Sequence, residues 1–403
     1  MQKPEITIYG APWCPYCVRA KRFLTEMRTP FDWIDIDDHP EALPFLEKVN
    51  DGNHTIPTIV FADDSIMVAP TNAELAAKIG LEPKARREFY DLIVVGSGPA
   101  GLSAAIYAAR EGFETLVIDA AGVGGQAGIT DRIENYPGFP QGVGGADLAD
   151  DMAKQARRFG VEILQAQPVN SLSDLQICKV VKTASGDEYS AEAVLLATGS
   201  KYRKLNVPGE DHLIGKGVHF CATCDGPFYK DRELLVVGGG NSGVEEGLYL
   251  TKFASKVTIV EFDTKLRASK VLQEELANHP EVEVRRGTTV AEFRGSGTLS
   301  SAILKNVASG EIEEITPAGV FIFIGLDPNT GFAKGFVDLD QWGFIQTGLT
   351  METSVAGVYA AEDVRAGSTK QVASAVGEGA SAALMIRQYL EKTEGSRGYK
   401  GDA

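Results

Sequence analysis

Apolar side chains recur with two different periods over the first eighty residues. "ITIY" (6–9) and "DWIDI" (32–36) alternate or run apolar as strands do, whereas "VRAKRFLTEM" (18–27) returns Ala20, Phe23, Leu24 and Met27 to one face at helical spacing. "TIVFADDSIMV" (58–68) reads as a hairpin turning at Asp63–Asp64. "TNAELAAKIG" (71–80) opens with a capping box, Thr71 followed three positions later by Glu74, and stops at Gly80. The predicted order is β-α-β-α-β-β-α. The charged, proline-containing "LEPKARREFY" (81–90) then reads as a linker closing a small domain.

A longer pattern follows and repeats. "DLIVVGSGPAGLSAAIYAAREGFETLVIDA" (91–120) predicts strand, glycine turn, helix and strand, and "ELLVVGGGNSGVEEGLYLTKFASKVTIVEF" (233–262) predicts the same again. The copies are in register: Asp119 lies 23 positions after Gly96, and Glu261 lies 23 positions after Gly238. One such turn is a weak signal. Two, each between strand and helix and each ending in a carboxylate, point to two dinucleotide sites. The glycines let backbone approach a pyrophosphate at a helix N-terminus, and the carboxylate suits a ribose diol. A flavin in one site and a nicotinamide in the other make an electron-transfer pair. "GFIQTGLTMETSVAGVYAAEDV" (343–364) reads as the chain returning to the first of these domains, which the second then interrupts.

Composition narrows the chemistry. The 403 residues suit two or three domains, and a net charge of −16 argues against a nucleic-acid or anionic-membrane partner. No apolar run reaches the ~18 residues of a membrane span, and "MQKPEITIYG" lacks the layout of a signal peptide. A cytoplasmic protein is expected. In a reducing compartment the pairs Cys14–Cys17 and Cys221–Cys224 are redox centres or metal ligands rather than staples. The pairs are far apart and neither has a third ligand nearby, so no metal site is expected. His39, His54, His212, His219 and His279 show no triad or metal spacing, Cys178 reads as a small core residue on a strand, and "RRFG" (157–160) reads as a solvated basic edge.

Residues 88–392 resemble the low-molecular-weight thioredoxin reductase family and its relative, the flavoprotein subunit of alkyl hydroperoxide reductase. The resemblance rests on "VVGSGPAGLSAAIYAAR" (94–110), "GGQ" (124–126), "IENYPGF" (133–139), "LLATGS" (195–200), "CATCDGPFY" (221–229), "VVGGGNSGVEE" (236–246), "FIFIGLDPNT" (321–330) and "KQVASAVGEGASAA" (370–383). Residues 5–81 resemble glutaredoxins, closest to the mycoredoxin type, through "CPYCVRAK" (14–21) and "TIPTIVFAD" (55–63). The expected architecture is α/β: an N-terminal thioredoxin-fold domain plus two Rossmann-like dinucleotide-binding domains, the FAD domain split by an inserted NAD(P)H domain. The expected boundaries are 1–81 glutaredoxin-like, 82–90 linker, 91–203 and 326–392 FAD-binding, 204–325 NAD(P)H-binding with the second dithiol, and 393–403 tail.

At the helix mouth Cys14 becomes the attacking thiolate and Cys17 resolves, with Trp13, Tyr16, Ile56 and Pro57 forming the partner loop, Pro57 being cis as the glutaredoxin resemblance implies. The family resemblance implies that Cys224 faces the flavin, Cys221 meets the partner disulfide, and Asp225 moves the proton. It places Gly96, Gly98, Pro99, Ala100 and Gly101 at the FAD pyrophosphate and Asp119 at the adenosine ribose. Gly125, Gln126, Asn135, Ala197, Thr198 and Gly199 line the flavin, Asp363 meets the ribityl chain, and Gln371 lies at the ring. Gly238, Gly240, Asn241, Ser242, Gly243 and Glu261 form the nicotinamide-nucleotide site.

Two departures matter. Glu362 stands where the family has glycine, placing a carboxylate where the pyrophosphate is approached. Glu261-Phe262-Asp263 replaces a basic cluster for the NADPH 2′-phosphate, which predicts NADH, with NADPH as the alternative. The expected enzyme is an FAD-dependent disulfide reductase, homodimeric like its family. Its acceptor is a thioredoxin, glutaredoxin or peroxiredoxin disulfide, or a low-molecular-weight thiol disulfide. Competing readings are an NADPH-dependent reductase with an independent glutaredoxin domain, and a non-enzymatic redox sensor.

Overall fold

The computed structural model describes residues 6–12, 14–50, 54–130, 132–133 and 135–397, and Trp13 lies outside that set. By contacts the chain forms two units, Met1–Ser200 with Pro328–Ala403, and Lys201–Asp327.

In the first unit, β1 (Ile6–Gly10), α1 (Pro15–Glu26), β2 (Asp32–Asp35), α2 (Leu43–Val49), β3 (Thr58–Phe61), β4 (Ile66–Val68) and α3 (Asn72–Ile79) follow the predicted order. The sheet runs β2-β1-β3-β4, with β1 parallel to β2 and antiparallel to β3. Alternation along β1 drives Ile6 and Ile8 inward against Phe23, Leu24, Ile59 and Leu75. The capping box on α3 is formed in both directions, Thr71 Oγ1 accepting from Glu74 N at 3.2 Å and the Glu74 carboxylate accepting from Thr71 N at 2.7 Å.

The stretch expected to be a linker is fastened down. Pro83 O accepts from the Gln167 side chain, Ala85 N donates to Tyr189 Oη, and Arg86 N donates to Glu162. The next strand, β5 (Phe89–Val95), starts two residues inside that stretch. Arg157 of the expected solvated edge is paired as well. It and Gln165 both donate to the Glu26 carboxylate at the end of α1, at 3.1 and 2.6 Å.

β5, α4 (Pro99–Arg110) and β6 (Thr115–Ile118) form a parallel β-α-β unit inside a seven-stranded sheet. Strand Glu188–Leu196 pairs parallel with β5, and Val358–Ala360 joins it at Val194–Leu196, so the segment after residue 328 re-enters this sheet. The long helix Val372–Arg397 packs closely on α4: a Cβ on Gly379 would stand 2.1 Å from Ala100 O. Cys178 is a buried free thiol one residue ahead of strand Lys179–Thr183, not on it.

The second unit is a five-stranded parallel sheet, Val218–His219, Gly319–Ile322, Glu233–Val237, Lys256–Glu261 and Val282–Arg286 in spatial order. A three-stranded antiparallel sheet, Thr288–Arg294, Ser301–Asn306 and Ile312–Ile315, accompanies it. Among the described residues no helix is long and apolar enough to cross a membrane.

Candidate active site

Cys14 is the N-cap of α1, and its sulfur accepts from Cys17 N at 3.3 Å. A helix N-terminus concentrates positive potential and unpaired amides, which favours the thiolate over the thiol. Cys17, fully buried one turn in, is driven far above the ordinary thiol range, first by burial and then by the Cys14 sulfur as hydrogen-bond partner and charge. The two sulfurs are thus chemically unequal: one caps the helix N-terminus, and the other is buried and held protonated. The Ile56–Pro57 bond is cis, Ile56 O lies 3.7 Å from the Cys14 sulfur, and Tyr16 is exposed beside it. The role expected of Trp13 falls outside the described residues.

The first glycine turn is shaped by contact. Gly96 has φ +108° and its missing Cβ would lie 1.9 Å from Ala197 O, while that of Gly101 would lie 2.0 Å from Gly96 O. Gly98 faces open space, with nothing within 4 Å of a Cβ there, and it caps α4 with no side chain, so the first amides of α4 are open to an anion. This arrangement fits a dinucleotide pyrophosphate. Asp119 is heavily engaged: one oxygen accepts from Ser97 N and Ser97 Oγ at 2.7 Å each, the other from Ala121 N and Gly122 N at 2.8 Å each.

The remaining expected flavin residues converge from distant segments. Asn135 Nδ2 donates to Gln371 Oε1 at 2.9 Å, across 236 positions. A Cβ on Gly125 would stand 3.4 Å from Gly98 Cα, and Gln126 beside it is exposed. Ala197–Gly199 directly follows the strand that β5 pairs with, and Thr198 Oγ1 donates to Asn329 O at 2.8 Å. Asp363 accepts from Ser368 Oγ at 2.7 Å, and its carboxyl is shifted upward by burial.

Glu362 takes the left-handed conformation, φ +66°, that its glycine counterpart would adopt freely. Its side chain is occupied with backbone: Oε1 accepts from Gly199 N at 2.7 Å and Oε2 from Asp363 N at 2.6 Å. Desolvation and the neighbouring Asp363 outweigh those two donors and push the carboxyl up to about 8.

In the second unit Gly238 (φ +122°) would place a Cβ 2.3 Å from Phe323 O, and Gly243 one 1.9 Å from Gly238 O. Gly240 is open and caps helix Asn241–Leu250 without a side chain. Asn241 turns its carbonyl to Ser269 N at 2.8 Å. Glu261 is buried behind the turn and, among the described residues, accepts two chain bonds, from Gly239 N at 2.6 Å and Asp263 N at 2.9 Å. Arg267 is exposed and engaged with Asp263 and the Phe262 ring.

Cys221 is disulfide-bonded and leads into the short helix Ala222–Asp225; the Cys224 side chain lies outside the described set. His219, which no sequence spacing singled out, is buried two residues before Cys221. Its Nδ1 lies 3.3 Å from Asp225 Oδ2 and its Nε2 2.6 Å from Tyr229 Oη. The only sequence signal was its position two residues ahead of the Cys-x-x-Cys-Asp motif.

Comparison with known proteins gives the family. Residues 90–379 match the pyridine nucleotide-disulphide oxidoreductase family, and residues 6–66 match glutaredoxin. The thioredoxin reductase of Peptoclostridium acidaminophilum is 42% identical over 310 residues, 75% of this chain and 97% of that protein. The bifunctional thioredoxin reductase/thioredoxin of Mycobacterium leprae is 40% identical over 316 residues, 78% of this chain and 69% of that one. The crystal structure of thioredoxin reductase from Streptococcus pyogenes aligns with a TM-score of 0.72 at 40% identity, over 76% of this chain and 99% of that one. The chain belongs to the pyridine nucleotide-disulphide oxidoreductases as a thioredoxin reductase-like flavoprotein enzyme, with a glutaredoxin domain at its N-terminus.

Proposed function

We propose that the chain draws electrons from NADH through FAD to Cys221–Cys224, passes them to Cys14–Cys17, and delivers them to an outside disulfide. Bound FAD supplies a two-electron carrier between nicotinamide and disulfide. The observation that carries the nucleotide choice is Glu261. Its carboxylate lies behind the second glycine turn with about half of its acceptor sites unused by the chain. Such a group accepts from a ribose diol and repels a 2′-phosphate, and Phe262 and Asp263 after it add no cation. The test is kcat/KM for both nucleotides: NADH is preferred by at least tenfold, and equal or better use of NADPH overturns the assignment.

On the flavin side, the open amides of α4 around Gly98–Gly101 hold the pyrophosphate, Asp363 the ribityl chain, and Asn135 with Gln371 the ring. Asp119 then acts through the 119–122 turn that it braces, and it meets the ribose by exchanging one of its four chain donors.

At the exit, the Cys14 thiolate attacks the partner disulfide, forming a mixed disulfide and releasing one partner sulfur as thiolate. Neutralising Cys14 in this way removes its contribution to the upward push on Cys17. Cys17 then loses its proton, attacks the Cys14 sulfur and releases the second partner thiolate, which is protonated. The Cys14→Ser, Cys17→Ser double variant keeps NADH-driven reduction of an aromatic disulfide at Cys221–Cys224 and loses reduction of the physiological acceptor. Full activity on that acceptor overturns the series arrangement. A Cys17→Ser chain retains mixed disulfides at Cys14 and so identifies the acceptor, whether peroxiredoxin, thioredoxin-fold protein or low-molecular-weight thiol.

A further inference from the structure

We propose that His219 is a positioning residue for the proton handled at Cys221–Cys224, forming with Asp225 and Tyr229 a short relay; this rests on the disulfide-reductase reading of that centre. The ring is 8% exposed and lies flat on Phe321, with centroids 5.2 Å apart. Strand Val218–His219 pairs with Val320 and Phe321, which fixes the ring from below, and Tyr229 meets it edge-on at 5.4 Å. Among the described residues, the charged and titratable groups facing this cluster are Asp225, Tyr229, Arg232 acting on Tyr229, and Cys221 two residues along.

The contacts favour one tautomer. Nδ1 lies at ion-pair distance from Asp225 Oδ2, and a carboxylate oxygen only accepts, so a hydrogen on Nδ1 is the favourable placement. In the neutral ring Nε2 is then an acceptor, and the Tyr229 hydroxyl donates to it at 2.6 Å. Burial, with the Asp225 charge, keeps Tyr229 a donor by pushing its hydroxyl up to about 12. When a proton arrives, Tyr229 reverses and accepts from Nε2–H, with no change of position required. The proton is shared between Asp225 and Nδ1, and the tyrosine accommodates either state.

Dithiol exchange needs such a holder. Cys221 thiolate attacks a partner disulfide and a partner thiolate departs. The Cys224 thiol must then give up its proton as its sulfur displaces Cys221 from the mixed disulfide. Asp225 takes that proton, shares it with His219, and returns it to the second partner thiolate, so electrons and protons balance within the exchange. An isolated carboxylate beside a forming thiolate resists this step through like charge, and an imidazolium behind it relieves the repulsion.

The test is alkylation by iodoacetamide of the full chain reduced with dithiothreitol, followed from pH 5.5 to 9.5 on the Cys221–Cys224 peptide by mass spectrometry. It needs no nucleotide or flavin turnover, so it stands apart from the reductase reading, whose failure would show as wild-type chain unable to reduce an aromatic disulfide with NADH or NADPH. His219→Asn keeps a hydrogen-bonding side chain that does not titrate. It is expected to react about tenfold more slowly at pH 7 and to recover at high pH, moving the profile upward by about one unit. Tyr229→Phe is expected to move it the same way by less. A His219→Asn profile superimposable on wild type, or one lowered equally at every pH, overturns the proposal. Should His219→Asn fail to fold, an unmoved Tyr229→Phe profile overturns it instead.

Discussion

The two glycine turns match in spacing and differ in what their carboxylates have left to offer. Asp119 and Glu261 each follow their first glycine by 23 residues. Asp119 accepts four chain bonds, two of them from Ser97 and two from the turn that follows it. Glu261 accepts two. A carboxylate offers about four acceptor sites, so the first is saturated by its own protein and the second is half free. The same motif position is therefore a brace in one unit, whereas in the other it keeps acceptor sites open among the described residues, as the proposed ribose contact requires. Ser97 supplies part of the reason: Gly239 occupies its place in the second turn, with no hydroxyl to donate.

The comparison breaks most readily at its shared part, the first glycine. Gly96→Ala puts a Cβ 1.9 Å from Ala197 O at φ +108°, which is expected to destabilise the first unit by roughly 3 kcal/mol or more and to abolish flavin retention. Thermal melting and flavin content after gel filtration report this, and a wild-type melt contradicts the contact.

A third carboxylate adds pH dependence. The Glu362 carboxyl stands at about 8 in the folded chain against 4.5 ordinarily. The folded chain thus binds this proton more tightly than the unfolded chain, and stability falls as pH rises from about 4.5 to about 8. Allowing for its partial exposure, the span is roughly 2–4 kcal/mol. Glu362→Gln is expected to flatten that slope in urea melts across the range, while an unchanged slope assigns it to other groups.

Asp119→Asn and Glu261→Gln test the contrast directly. The first is expected to lower melting stability by about 1–3 kcal/mol, because an amide nitrogen cannot accept the donors converging on one oxygen. The second removes one of two backbone acceptors, at Gly239 N or Asp263 N, so it is expected to lower melting by less than the first and to raise the KM for NADH about tenfold through the weakened ribose contact. Reversed outcomes, with Asp119→Asn kinetic and Glu261→Gln structural, dissolve the contrast. The smallest effect is expected at Gly240→Ala, where a Cβ meets nothing within 4 Å. Stability should stay within about 0.5 kcal/mol of wild type, and any loss should appear in nucleotide binding alone.

Much of the chain was legible because its signals are local. The capping box at Thr71, the left-handed glycines and the apolar periods depend on neighbours a few residues away, and a single sequence carries that information in full. The same holds for Cys14 at a helix mouth and for the two dinucleotide turns. Tertiary structure alone decided how each polar group is used. Glu362 finds Gly199 across 163 positions, Asn135 finds Gln371 across 236, and the supposed linker is tied at Pro83, Ala85 and Arg86 to the side chains of Gln167, Tyr189 and Glu162. His219 carried no spacing signal because its partners share no period with it: one lies in a four-residue helix and the other beyond it. Hydrogen-bond saturation depends on which donors folding brings within 3 Å, and no local pattern encodes that count.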